Sequence, residues 1–324
     1  MAAIGLALAA VVILSGPVPA RAGSIGPWGV APATTATNQK SRPFFDYRQP
    51  AGGTIHDAIS IANLGDFPLT FDLYTADGFN LSNGAFALRG KADPRRDVGM
   101  WTSLSVPAVT VPPHDQAIVP FTISVPLDVT PGDHAGGIVA LARPVAAPAP
   151  GSQVVTRQGV GARIYLRVPG PLHPSLAITS LDLQARTGAF GGGKADVQAV
   201  LVNTGNTRVD AIVRFRGAGP FGLGAKTLPA IHLDSLLPGS RIHLQEKWSG
   251  LPVAGPYRVT LSVTSAEATA RGSATAWIIP WAILVAIALL AAGAWYAWRR
   301  GRRNRRKPSP SSSPRLPTPV KTSP

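Results

Sequence analysis

Six histidines carry most of the candidate chemistry in this chain: His56, His114, His134, His173, His232 and His243. They are scattered, and none falls in an H-E-x-x-H pattern on a helix. Asp133 and His134 are adjacent and form the best candidate acid–base pair. Adjacency is weak support, because neighbours on a strand or turn often point apart. His232 and His243 could meet across strands as metal ligands, and outward-facing positions on a β-sandwich explain them equally well. Gly191-Gly192-Gly193-Lys194 resembles a phosphate loop superficially. It lacks the Ser or Thr after lysine, since Ala195 stands there, which favours a hairpin turn. With no cysteine in the chain, thiol catalysis, cysteine zinc sites and disulfide stapling are excluded. The residues assign no catalytic group, no cofactor site and no metal site, and they identify no ligand-contacting residue.

The elements that position these side chains read as strands. Leu69, Phe71 and Leu73 share one face and Thr70, Asp72 and Tyr74 the other. The alternation recurs at Val119, Phe121, Ile123 and Val125, at Val209, Ala211, Val213 and Phe215, and at Tyr257, Val259, Leu261 and Val263. Such period-2 runs, punctuated by Gly, Pro and Asn, mark half-buried antiparallel strands. The order of units also repeats. A strand ending in Asn63-Leu64-Gly65 precedes the strand at Leu69, and one ending in Asn203-Thr204-Gly205 precedes the strand at Val209. Pro-bearing turns follow in each copy, at Val111–His114 and Leu237–Ser240. The expectation is an all-β chain of two tandem immunoglobulin-like sandwiches, over 25–170 and 171–275. The first carries an insertion from about Thr75 to Thr102. The boundary lies near 170, at Gly170-Pro171, and 144–153 is a loop of the first domain. Trp101 and Trp248 are expected in the core or at its rim, although exposed aromatics would suit glycan stacking.

Both ends of the chain are hydrophobic. Ile4 to Leu14, followed by Ala20-Arg21-Ala22, predicts a signal peptide over 1–22, although no Lys or Arg follows Met1. Trp277 to Trp298 contains no charge and predicts a transmembrane helix of roughly 33 Å. The seven basic residues between Arg299 and Lys307 then mark a cytoplasmic side and a basic, disordered tail over 299–324, rich in Pro and Ser from Pro308 onwards. That tail holds +9 of the net charge of +15. The high pI therefore reports a juxtamembrane cluster suited to anionic lipid of the cytoplasmic leaflet, and gives no reason to expect a nucleic-acid partner. A single-pass membrane protein with exported N-terminal domains is expected.

Several motifs in order resemble the N-terminal domain of WxL-interacting proteins: Trp28–Pro32, Phe44–Tyr47, Pro50–Gly52, the Asn63 strand end, and above all Val125 to Ile138. The strand Gly161–Val168 is similar to the actinobacterial version of that domain. The resemblance spans about 27–170. It implies a non-catalytic cell-surface protein whose first domain binds peptidoglycan and which tethers or presents exported proteins. Residues 171–275 match that family's partner-binding domain poorly. The alternative is a protein-interaction scaffold or chaperone-like adaptor without glycan binding. Gly132, Gly136 and Gly137 could equally serve only a tight turn and a close strand crossing.

Overall fold

In the computed structural model, which describes residues 27–34, 41–143 and 158–304, the chain forms two β-sandwiches followed by a long helix. The expected signal peptide, the 144–153 loop and the tail beyond 304 lie outside the described residues; residues 299–304, expected in the disordered tail, instead continue the final helix.

The first sandwich comprises β1 (Trp28–Pro32), β2 (Phe45–Arg48), β3 (Thr54–Asn63), β4 (Leu69–Asn80), β5 (Phe86–Leu88), α1 (Val98–Trp101), β6 (Thr102–Leu104), β7 (Ala108–Val111), β8 (Asp115–Ser124), β9 (Gly132–Ala142) and β10 (Gly159–Val168). One sheet has the order β1-β3-β8-β6. The other runs β2-β10-β9-β4-β5, with β7 also on β4. Pairing is antiparallel except where β2 lies parallel to β10. The alternation expected at Leu69–Leu73 and Val119–Val125 points those side chains into the core, with Ile59, Ile61, Ile138 and Ile164. The insertion extends β4, adds β5 and builds α1. The Asp77 carboxylate holds α1 by accepting the amides of Arg96, Asp97 and Gly99 at 2.6, 3.1 and 2.8 Å.

The second sandwich comprises β11 (Leu176–Thr187), β12 (Gly193–Asn203), β13 (Val209–Ala218), β14 (Lys226–Thr227), β15 (Ile231–Leu236), β16 (Arg241–Ser249), β17 (Gly255–Thr264) and β18 (Thr269–Ile278). Its sheets are β11-β12-β16 and β14-β13-β17-β18, with β15 also on β13. Trp248 is buried in this core and donates its indole N–H to the Tyr257 hydroxyl at 2.8 Å. Trp101 packs at the edge of the first core. Gly191-Gly192-Gly193 forms the turn between β11 and β12, all three at positive φ, so the hairpin reading of that run holds.

The two Asn-x-Gly strand ends do equivalent work. Asn63 donates to the carbonyls of Phe67, Val111 and Pro112 and accepts the Gly65 amide. Asn203 donates to the carbonyls of Thr207 and Leu236 and accepts the Gly205 amide. One buried carboxamide thus satisfies several turn groups in each sandwich, which apolar packing could not do.

The final helix, α2 (Trp281–Asn304), begins later than the composition suggests. Trp277 and Ile278 still pair in β18, with Trp277 opposite Pro256, and Pro280 precedes the first helical residue. Within α2, an 18-residue window of Trp281–Arg302 has a mean hydropathy of 1.8, and none of it is buried against the protein. Its length and composition suffice to cross a membrane. The apolar part ends at Trp298, and Arg299 and Arg302 fold back over Trp295 and Trp298, 5.1 and 4.0 Å from their ring centres.

Candidate functional site

The segment that connects the sandwiches, residues 169–175, contains Pro169, Pro171 and Pro174, which restrict its backbone. Around it two seams of hydrogen bonds join the domains. In the first, Asn206 at the β12–β13 turn donates its amide to the carbonyls of Pro131 and Pro171, both at 2.9 Å. Its side-chain oxygen accepts the His173 amide at 2.7 Å, and its backbone carbonyl accepts the Asp133 amide at 2.8 Å. Asp133 grips the Arg167 guanidinium with two 2.7 Å bonds and also accepts the Arg208 amide at 2.7 Å. In the second seam Asn80, at the end of β4, accepts the Leu237 amide at 2.8 Å and the Ser240 hydroxyl at 2.7 Å. It donates to the Ser235 carbonyl at 3.2 Å. An apolar cluster of Ala135, Tyr165 and Leu237, with Phe44 and Phe86, fills the space between. The Arg208 guanidinium lies 4.0 Å over the Tyr165 ring.

His134 stands beside the first seam. Its Nδ1 is 2.9 Å from an Asp97 carboxylate oxygen and its Nε2 is 2.9 Å from the Thr130 carbonyl. Both partners are acceptors, so the ring must donate from both nitrogens, which is the imidazolium form. Burial lowers its pKa, but the hydrogen bond and charge of Asp97, with the Thr130 carbonyl, outweigh that and raise it. Asp133 goes the other way: burial raises its pKa, and its bonds to Arg167 and Arg208 bring it below the usual carboxylate value.

A small cavity of about 240 Å³ opens here, lined by Asp97, Thr130, Asp133, His134, Asn206 and Leu237 among others. Asp133 and His134 point to different partners, and both carboxylate oxygens and both ring nitrogens are hydrogen-bonded. The pair is therefore a junction element, with no free base to offer. The remaining histidines do not converge. His56 bonds Thr122, His114 bonds Asp66, and His173 lies in the connecting segment. His232 sits on β15 and His243 on β16, in different sheets, so the pairing across neighbouring strands does not occur. Among the described residues no group of three His, Asp or Glu side chains is arranged to hold a metal.

The Val125–Ile138 stretch is accounted for by packing at all three of its glycines. A Cβ on Gly132, at φ +137°, would lie 2.3 Å from the Asn206 carbonyl of the other sandwich. On Gly136 it would meet the Ala76 carbonyl at 2.8 Å, and on Gly137 the Ala162 carbonyl at 2.5 Å.

One long sheet edge is open. β16 pairs with β12 on one side only. The His243 amide turns away from β12 and donates to the Ser82 carbonyl of the first sandwich at 2.9 Å. Alternation along an antiparallel ladder turns the backbone groups of Gln245 and Lys247 the same way, where none of the described residues meets them. The edge side chains Arg241, His243, Gln245 and Lys247 are exposed.

No protein-family profile matches the chain, and no curated protein matches it. Solved structures offer a distant likeness. One is a chaperone–tip adhesin complex of CFA/I fimbriae, at 8% identity, 78% coverage of this chain, 98% of that chain and TM-score 0.37. Another is the CsuC–CsuE chaperone–tip adhesion subunit complex of Acinetobacter baumannii, at 12% identity, 72% and 95% coverage and TM-score 0.36. A third is the Pseudomonas aeruginosa CupB2 chaperone, at 11% identity, 72% and 97% coverage and TM-score 0.31. At this level the likeness assigns neither a family nor a function.

Asn80, Asn206, Tyr165 and Arg208 escaped the sequence reading. Only Asn206 left a trace: the first copy of the repeat has Asp66 at the equivalent turn position, so the two copies differ where the second meets its neighbour.

Proposed function

We propose that the chain is a membrane-anchored, non-catalytic adaptor that holds another exported polypeptide by adding its strand to the open edge of β16. The observation that carries this reading is the row of outward backbone groups at Gln245 and Lys247. Unpaired N–H and C=O groups on a nine-residue edge are a template for a further strand. The fixed junction supports the same reading, because it closes the first sandwich over one end of that edge at His243 and leaves the rest accessible.

The test exploits the direction of those groups. Gln245→Pro and Lys247→Pro remove no bond to β12, since both amides face outward, yet each blocks an incoming strand. A photo-crosslinking residue at His243 in the full chain should capture a discrete exported partner. Each proline variant should abolish that capture while leaving the melting temperature close to the parent's. Capture unaffected by both prolines would defeat the strand-addition reading. Peptidoglycan, implied by the resemblance to WxL-interacting proteins, is the competing ligand. Co-sedimentation of the proline variants with purified sacculi, together with unaltered crosslinking, would transfer the assignment to it.

A further inference from the structure

Three loops of the second sandwich and the start of α2 converge on one end of the domain. The β11–β12 turn meets the β16–β17 loop through the Gly192 amide and the Pro252 carbonyl, 3.1 Å apart. The β13–β14 loop joins them where Pro220 packs on Gly255, 3.5 Å from its would-be Cβ. The Ala282 amide in the first turn of α2 donates to the Ala189 carbonyl of the β11–β12 turn at 2.9 Å. That amide belongs to the set a helix N-terminus leaves without an intrahelical partner. Only Ile279 and Pro280 separate β18 from α2, a reach of about 7 Å.

This end is apolar and unpaired. Phe190 is 74% exposed, Phe221 104%, Trp277 69% and Trp281 63%, with Leu223 and Val253 also exposed. Phe221 adopts φ +54°, a strained backbone state for a bulky residue, and its ring gains no contact within the sandwich in return. Beside it lies a groove of about 760 Å³ whose lining includes Arg216, Arg258, Arg271, Gly219, Pro220 and Thr275, with no Asp or Glu. Arg216, Arg258 and Arg271 make no salt bridge with any described residue.

We propose that this tip is seated in the leaflet on its own side of the bilayer. The aromatic and aliphatic loop residues lie among the headgroups, and the arginine groove receives the phosphates of anionic phospholipid. The proposal rests on α2 spanning the membrane. A helix leaving the domain after two residues, with the hairpin tip bonded to its first turn, leaves the loops no room to stand clear of the surface. Exposed aromatics with adjacent basic side chains are the chemistry that headgroup layers accept. The sandwich then lies on the membrane in a fixed pose, with the β16 edge held at a set height above it.

The absence of cysteine makes the test direct. Single Phe190→Cys, Val253→Cys, Phe67→Cys and Leu289→Cys variants of the full chain carry an environment-sensitive nitrobenzoxadiazole label. They are reconstituted in vesicles of phosphatidylcholine with or without phosphatidylglycerol. Labels at Phe190 and Val253 should emit at shorter wavelength than the label at Phe67, in the first sandwich. Lipids spin-labelled near the headgroup should quench them. Both effects should weaken without phosphatidylglycerol, and also in an Arg216→Gln/Arg258→Gln background. Loop labels as wet and unquenched as Phe67, with Leu289 embedded, overturn the proposal. Insertion indifferent to phosphatidylglycerol and to the arginines overturns the phosphate assignment. A Leu289 label exposed to water overturns the span itself.

Discussion

Asn206→Ala isolates what one side chain contributes to the junction. The substitution removes two donated bonds and one accepted bond, one of them part-buried and two exposed. A net bond contributes about 1 kcal/mol, and exposed partners recover part of that from water, so the expected loss is roughly 2 kcal/mol. Each 1.4 kcal/mol is a factor of ten, so junction opening should become roughly thirtyfold more frequent. Native-state hydrogen exchange reads this at two amides. His173 loses its acceptor outright. Asp133 donates to the backbone carbonyl of Asn206, which the substitution retains, so faster exchange there reports opening of the seam itself. Exchange should stay slow at core amides of both sandwiches, such as Ile61 and Val213. If His173 exchanges faster while Asp133 stays at its parent rate, the backbone seam stands without the carboxamide and the reasoning fails. If core amides accelerate equally, the effect is global unfolding, and the junction has no separate stability.

Three further outcomes follow from neighbouring contacts. Gly132→Ala should destabilise by about 3 kcal/mol in urea unfolding, because its Cβ would collide with the Asn206 carbonyl at a positive φ; the same change at Gly29, which has open space around it, serves as the control. The His134 pKa is raised in the fold, so its contribution is fully present below the unfolded value of about 6.5 and is lost as pH rises through the higher folded value. Unfolding midpoints of the parent should therefore fall across that window relative to His134→Gln, and parallel curves would remove His134 from the linkage. Asp57→Ala should cost about 3 kcal/mol, since the buried carboxylate accepts from Arg42 at 3.0 Å and from the Tyr47 hydroxyl at 2.7 Å; a loss under about 0.5 kcal/mol in thermal or urea unfolding would show that water replaces both partners.

The sandwiches were readable because their signal is local. Alternation at Phe71, Phe121, Val213 and Leu261 is set by the two-residue period of the pleat, and burial of one face follows from it. Asn63 and Asn203 were likewise visible, since each satisfies turn groups close by as well as distant carbonyls. The junction was not readable. Asn80 meets Leu237 at a separation of 157 residues and Asn206 meets Pro131 at 75, and no periodicity marks a side chain whose partner belongs to another domain. Asp133-His134 illustrates the consequence: two residues that suggest acid–base chemistry in one dimension are, in three, spent on Arg167, Arg208, Asp97 and Thr130. The final helix fell between these cases. Its hydropathy was plain, but where it starts is decided by the pairing of Trp277 with Pro256, a tertiary fact that assigns this tryptophan to the sandwich. That reassignment has a physical consequence, because a helix beginning at Trp281 leaves only 18 apolar residues before Arg299, about 27 Å of rise. If α2 crosses a bilayer, so short a stretch matches it best when no part is spent above the headgroups, which is the geometry that the proposed seating of the loop tip requires.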